Sequence, residues 1–189
     1  MDPRALLDIL HVAERLKNAT RHSYTSGRRH ESVAEHSWRI ALMADLLRSE
    51  FPQADMDKVI RMCLIHDLGE AFTGDIPTFD KTKADEEKED ALLAQWVDSL
   101  PEPVCVDMRA LYAEMNERRT LEARIYKALD SLEAVIQHNE GPIDTWLPLE
   151  YDLNLTYGSD KAAFSSYLTR LREDIRLDTL DKIEHEKAP

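Results

Sequence analysis

Four residues of this sequence combine metal-binding or proton-transfer chemistry with positions where apolar side chains are expected. His66-Asp67 closes the apolar stretch VIRMCLI. His36 shares a helical stripe with Ile40, Met43 and Leu47, and Asp130 interrupts IYKALDSLEAVI beside Ile125, Leu129, Leu132 and Ile136. Burying an imidazole or a carboxylate costs free energy unless something compensates it. A divalent cation supplies that compensation, and this donor set suits zinc, manganese, iron or cobalt. Each residue alone has an ordinary explanation. A lone histidine on an apolar face is most often a hydrogen-bonded core residue, a His-Asp dipeptide is common, and an aspartate within a helix is usually solvated. One cation shared by His36, His66, Asp67 and Asp130 explains all four together.

The elements that must carry these residues read as helices. Asp2-Pro3 has the form of a helix start, followed by Leu6, Leu7, Leu10, Ala13 and Leu16 at helical spacing. A polar, basic loop is expected from about Asn18 to Glu31. Ser32-Val33-Ala34-Glu35 is a capping box, so the helix bearing His36 starts there. Asp55 caps the helix that ends in His66-Asp67. EAFTGDIPTFDK reads as a loop, marked by Gly74-Asp75 and Pro77. Further helices are expected from about Ala84 to Leu100, Val104 to Glu117, and Thr120 to the stop at Asn139–Pro142. Asp144 to Gly158 reads as irregular. A last helix starts near Ser159, with Phe164, Tyr167, Leu168, Leu171 and Ile175 on one stripe, and the charged tail after about Asp178 is expected to fray. Strand signals are scarce. The expectation is one all-α domain of six to eight helices over 1–189, with a metal-binding core at about 6–140 and a C-terminal helix at about 159–178.

Composition narrows the functions. The chain has 189 residues and a net charge of −13. A chain of this length buries a core without metal staples, so a bound metal would serve chemistry. The acidic balance and the lack of a basic block argue against nucleic-acid binding. A small anionic substrate remains compatible, because an arginine and a cation reverse the field within one pocket. The two cysteines, Cys63 and Cys105, form no paired framework, and Cys63 reads as core. No stretch approaches a membrane span and the N-terminus lacks signal-peptide order, so the expected setting is cytoplasmic. Lys81 to Ala91 is a dense charge run, expected as a solvated helix start that could also close over a site. Trp146, Tyr151 and Tyr157 are expected in core packing or a subunit interface, with base stacking as the alternative.

The pattern resembles the H…HD…D signature of the HD-domain phosphohydrolases. Glu31 to Ser37 (ESVAEHS) is similar to the E-x-V-[AS]-[ED]-H segment of one branch. His66 to Pro77 (HDLGEAFTGDIP) resembles its HD-x-x-E-x-x-x-GD segment, and Lys127 to Glu133 (KALDSLE) its K-x-x-D-x-x-E helix. That branch contains the 5′-deoxynucleotidases, and the resemblance spans about Leu6 to Glu140. It implies an all-α HD fold holding one divalent ion (Mn, Co, Zn, Fe, Ni or Mg) on His36, His66, Asp67 and Asp130. It implies that Arg21 binds the substrate phosphate and acts in catalysis, that Glu70 orients or deprotonates the attacking water, and that Asp75 donates a proton or positions the leaving oxygen. Without the resemblance, Arg21 and Glu70 read as surface residues and Asp75 as turn chemistry.

The implied activity is removal of phosphate from (deoxy)nucleoside 5′-monophosphates. Hydrolysis of nucleoside triphosphates or cyclic nucleotides, and a non-catalytic metal-binding scaffold, are the alternatives. Relatives commonly form homodimers, so a homodimer is expected. The sequence departs from the branch at His22, which follows Arg21 where a deoxynucleotidase has tryptophan. It also lacks the GYP extension of cyclic-dinucleotide phosphodiesterases and the regulatory domain of guanosine tetraphosphate hydrolases.

Overall fold

A computed structural model describes residues 1–186. Among these, three helices build the centre: α2 (Val33–Leu46), α3 (Met56–Ile65) and α7 (Leu121–Glu140) all pack on one another. Their contact is made by Ile40 and Ala44, by Val59, Met62 and Cys63, and by Ile125, Leu129 and Leu132, all fully buried. α2 and α7 carry His36 and Asp130, and α3 leads directly into His66-Asp67, so packing the three helices together brings those residues to one place. The caps act as expected. The Ser32 hydroxyl accepts from the Glu35 amide while the Glu35 carboxylate accepts from the Ser32 amide, and Asp55 accepts from the Lys58 amide.

The other helices surround this core. They are α1 (Pro3–Ala13), the one-turn α4 (Glu70–Thr73), α5 (Lys83–Asp98), α6 (Val104–Glu117), α8 (Glu150–Thr156), the one-turn α9 (Ser159–Ala162) and α10 (Ser166–Glu186). Eight of the ten helices among the described residues are longer than one turn. No described helix is long and apolar enough to cross a membrane.

Several local expectations are corrected. The segment read as a loop from Asn18 to Glu31 holds an antiparallel hairpin, β1 (Thr20–Tyr24) and β2 (His30–Ser32). Its strands are short and polar, so hydrophobic alternation could not reveal them. Their inward side is closed instead by a hydrogen bond from the Ser23 hydroxyl to Glu31. Glu70–Thr73 is a helical turn within the expected loop, ended by Gly74 at φ +75°, a conformation that favours glycine. The stretch read as irregular at 144–158 contains α8. The helix expected from Ser159 is divided into α9 and α10, and α10 continues through Asp178 to Glu186. Buried Thr179 and Lys182 tie that charged end down; the remainder of the expected tail, 187–189, lies outside the described residues. Finally, the leucine stripe of α1 exists but faces outward: Leu6, Leu7 and Leu10 are all exposed.

Candidate metal centre and cavity

His36 projects from the first turns of α2, where the capping box sets the start of the helix. His66 and Asp67 follow the last turn of α3, and Asp130 lies at the middle of α7. The structure brings all four together. His66 Nε2 stands 2.9 Å from Asp67 Oδ2 and 3.7 Å from Asp130 Oδ1. His36 Nε2 stands 3.1 Å from Asp130 Oδ1 and 3.9 Å from Asp67 Oδ2. Donors that each reach about 2.1 Å to one cation are themselves roughly 3–4 Å apart.

The tautomers make the stronger case for a cation. His66 Nδ1 donates to the backbone carbonyl of Cys63 at 2.9 Å, and a carbonyl can only accept. His36 Nδ1 donates to the buried carboxylate of Glu133. In both neutral rings the Nε2 lone pair therefore faces carboxylate oxygens, acceptor against acceptor. His66 Nε2 is enclosed with no hydrogen-bond partner. Without a metal, only added protons relieve this. Burial opposes charge on His66, yet Asp67 and Asp130 outweigh it and hold its pKa up to about 10. Burial also works against the Asp67 carboxylate, but His66 and His36 hold it down at about 2. This donor set, its spacing and its unpartnered nitrogen fit a divalent cation.

Outer residues hold the donors in place. Glu133 fixes the His36 ring, and Lys127 Nζ grips Asp130 Oδ2 at 2.6 Å, leaving Oδ1 toward the histidines. Such partners orient ligands and raise their basicity. Sequence reasoning assigned no role to Lys127 or Glu133. Their three-residue spacing either side of Asp130, on one helix face, was the available signal.

A cavity of about 250 Å³ opens beside Asp67 and Asp130, and Arg21, Glu70 and Asp75 line it as well. Arg21 reaches it from strand β1. Its Nε is 3.2 Å from Glu31 Oε2 and its Nη1 is 4.0 Å from Asp67 Oδ2. Burial disfavours its charge, but Glu133 and Glu31 reverse that and raise its pKa, so the guanidinium stays cationic. Glu31 was quoted only as part of a motif; it is 2% exposed, and burial together with Glu133 lifts its pKa to about 7. Glu70 is buried, with Oε2 enclosed and unpartnered. Burial, then Asp67 and Asp75, push its pKa up to about 9. Burial also raises Asp75, against the pull of Arg21 and a hydrogen bond from the His22 amide.

The charge run at the start of α5 is mostly solvated, as expected, and borders this region through two of its residues. Lys81 and Glu86 line the cavity, and Lys81 Nζ bonds Glu89 at 2.9 Å. Glu89 packs so closely on Gly69 that a Cβ there would come within 2.8 Å of its Cγ. Of the aromatics, Trp146 is buried and packs edge-on against Tyr151, while Tyr157 borders the cavity.

Two histidines and two carboxylates from three helical segments stand beside an open cavity and a fixed arginine in a helical bundle, an arrangement that fits a metal-dependent hydrolase. The chain belongs to the HD domain family, whose model matches residues 13–172. It is 30% identical over 141 residues to the human 5′-deoxynucleotidase HDDC2, covering 72% of this chain and 68% of that protein. It is also 30% identical over 135 residues to the Pasteurella multocida 5′-deoxynucleotidase PM0747, covering 66% and 69%. A predicted metal-dependent phosphohydrolase from Magnetospirillum magnetotacticum superposes with a TM-score of 0.79 at 30% identity, over 98% of this chain and 95% of that one. The cyanophage S-2L HD phosphohydrolase DatZ, solved with dA and one catalytic Zn2+ ion, superposes at 0.58 with 21% identity over 92% and 95%, which shows a shared fold.

Proposed function

We propose that this chain is a metal-dependent phosphoric monoester hydrolase that removes orthophosphate from (deoxy)nucleoside 5′-monophosphates. The observation that carries the reading is the pair of imidazoles whose Nε2 lone pairs meet Asp67 and Asp130 beside a cavity holding Arg21. The names of the relatives support the substrate class.

His36, His66, Asp67 and Asp130 would hold one divalent ion, which supplies Lewis acidity and lowers the pKa of a bound water. Arg21 binds two phosphate oxygens through its planar fork and offsets their charge as the transition state forms. Glu70 takes the proton of the attacking water. Burial, then Asp67 and Asp75, raise its pKa into the range of a base, and a cation held on the cluster would oppose the Asp67 share of that rise. A P–O bond forms to the water oxygen, the P–O5′ bond breaks, and Asp75, kept protonated more readily by burial, gives its proton to O5′. The homodimer expected from the resemblance has a candidate surface in the exposed leucines of α1.

The test is orthophosphate release from deoxy- and ribonucleoside 5′-monophosphates by metal-stripped protein resupplied with manganese, cobalt or zinc. Release from these monophosphates is expected. Silence on all of them with metal shown to bind overturns the reading. Tripolyphosphate from triphosphates, or a linear product from cyclic nucleotides, would then assign the alternative.

A further inference from the structure

The cavity has a second end that the metal cluster does not explain. Asp130, Ala134 and His138 all line it, and they succeed one another at four-residue steps along α7. At 1.5 Å per residue, the lining therefore extends about 12 Å along that helix. His138 marks the far end. There Glu150 of α8, 1% exposed, sits between two imidazoles, 3.0 Å from His22 Nε2 and 3.3 Å from His138 Nε2. Its other oxygen accepts from the Leu147 amide at 2.6 Å. Phe79 meets the His22 ring edge-on, with centroids 5.7 Å apart.

Helix α8 runs back along α7. Glu150 lies by His138, and Gly158, just past the helix end, lies against Ser131, one residue beyond Asp130. Asn154 falls one turn after Glu150 on the same face, between the two ends. It borders the cavity and is 3% exposed, and its side-chain Nδ2 has no hydrogen-bond partner. A buried amide donor left unmet costs free energy unless a ligand meets it. Its backbone is not free to turn away. Arg172 of α10, itself buried, donates to the Asn154 carbonyl and to the Tyr157 carbonyl, both at 2.8 Å.

We propose that Asn154 is a specificity-determining residue that donates a hydrogen bond from Nδ2 to the nucleoside half of the substrate, with Glu150 as the positioning residue that sets the His22 and His138 rings around it. The inference rests on the nucleotidase reading above. A phosphate held between Arg21 and the metal cluster leaves the α8 side of the cavity open to the remainder of the molecule. Sugar oxygens, base carbonyls and base ring nitrogens are all acceptors. A site built to hydrogen-bond a group discriminates sharply against molecules that lack it.

The experiment compares two substrates and one ligand. For Asn154→Ala, the ratio of kcat/KM on a deoxynucleoside 5′-monophosphate to that on p-nitrophenyl phosphate is expected to fall at least tenfold. Asn154→Asp, which keeps the shape and removes the donor, is expected to move the ratio the same way. Ratios within twofold of the parent's overturn the inference while leaving the nucleotidase reading intact. Calorimetric titration of the metal-loaded parent with deoxynucleosides, which carry no phosphate, separates the two ideas further. If the parent cleaves no nucleotide, the functional reading falls. Deoxynucleoside binding that the variants lose would still uphold the role of Asn154, and no binding to the parent would overturn it as well.

Discussion

His66 lies behind Asp67 and Asp130 at one end of the cavity and His138 lines the other, and their surroundings drive them in opposite directions. Both are largely buried, at 4% and 16% side-chain exposure, so burial disfavours charge on each. At His66 the carboxylates of Asp67 and Asp130 overwhelm that penalty and hold the pKa near 10. At His138 burial prevails. Glu150 pulls the other way, but His22 and Arg21 add repulsion, and the pKa drops to about 4. One end is thus an excess of negative charge that calls for a cation. At the other, Glu150 stands between two imidazoles and a backbone amide, and the Asn154 amide nitrogen is left without a hydrogen-bond partner. The first suits metal binding and phosphate chemistry, and the second suits recognition of an uncharged group.

The sharpest way to break this contrast is at the negative end. His66→Ala removes one of two imidazole donors, and we expect loss of bound metal and at least about a 10³-fold fall in kcat/KM. Elemental analysis beside phosphate release checks this, and a variant with full metal and turnover would refute the metal assignment. Next in size is Arg21→Lys. The charge remains but the planar fork is lost, so roughly a 10²-fold fall in kcat/KM is expected, with metal content unchanged. Kinetics equal to the parent's would return Arg21 to a structural role beside Glu31.

Glu133→Gln tests whether the His36 tautomer matters. The amide can still accept from Nδ1, but it no longer strengthens the ligand electrostatically, so metal affinity should weaken about 10–100-fold. Competition with a chelator measures it, and unchanged affinity would show that ring orientation alone suffices. The smallest effect belongs to His138, at the far end. With a folded pKa near 4 against an ordinary 6.5, His138 stays neutral in the folded protein while the unfolded chain takes up a proton. Its contribution to stability is complete above pH 6.5 and is lost as pH falls from 6.5 toward 4. Urea midpoints for His138→Gln should decline less than the parent's over that interval. Parallel curves would mean that acid destabilisation arises elsewhere.

The two ends also differed in how readable they were. His36, His66, Asp67 and Asp130 each break an apolar helical pattern, and such a break is visible in one dimension. Lys127 and Glu133 lay within the same readable helix, yet a charge beside an aspartate reads equally well as a solvated face. Arg21, Glu70 and Asp75 gained roles only through resemblance to a family, since in the sequence each sits in a polar stretch. The far end left almost no trace. Glu150 and Asn154 lie on a seven-residue helix in an aromatic-rich stretch that read as irregular chain. The hairpin carrying Arg21 and His22 has no apolar alternation, because its inner contact is the Ser23–Glu31 hydrogen bond.

The sequence by itself determined the helical periodicity, the caps that start α2 and α3, and the four polar residues set against the core. Those are local properties, settled within a few turns of chain by side-chain spacing and backbone hydrogen bonding. Only the tertiary structure decided which lone pairs face one another, which carboxylate steadies which imidazole, and that α8 folds back along α7 to leave Asn154 unmet. These depend on residues far apart in the chain meeting in a space from which water is excluded. There a charge or a donor takes its character from whatever stands opposite it.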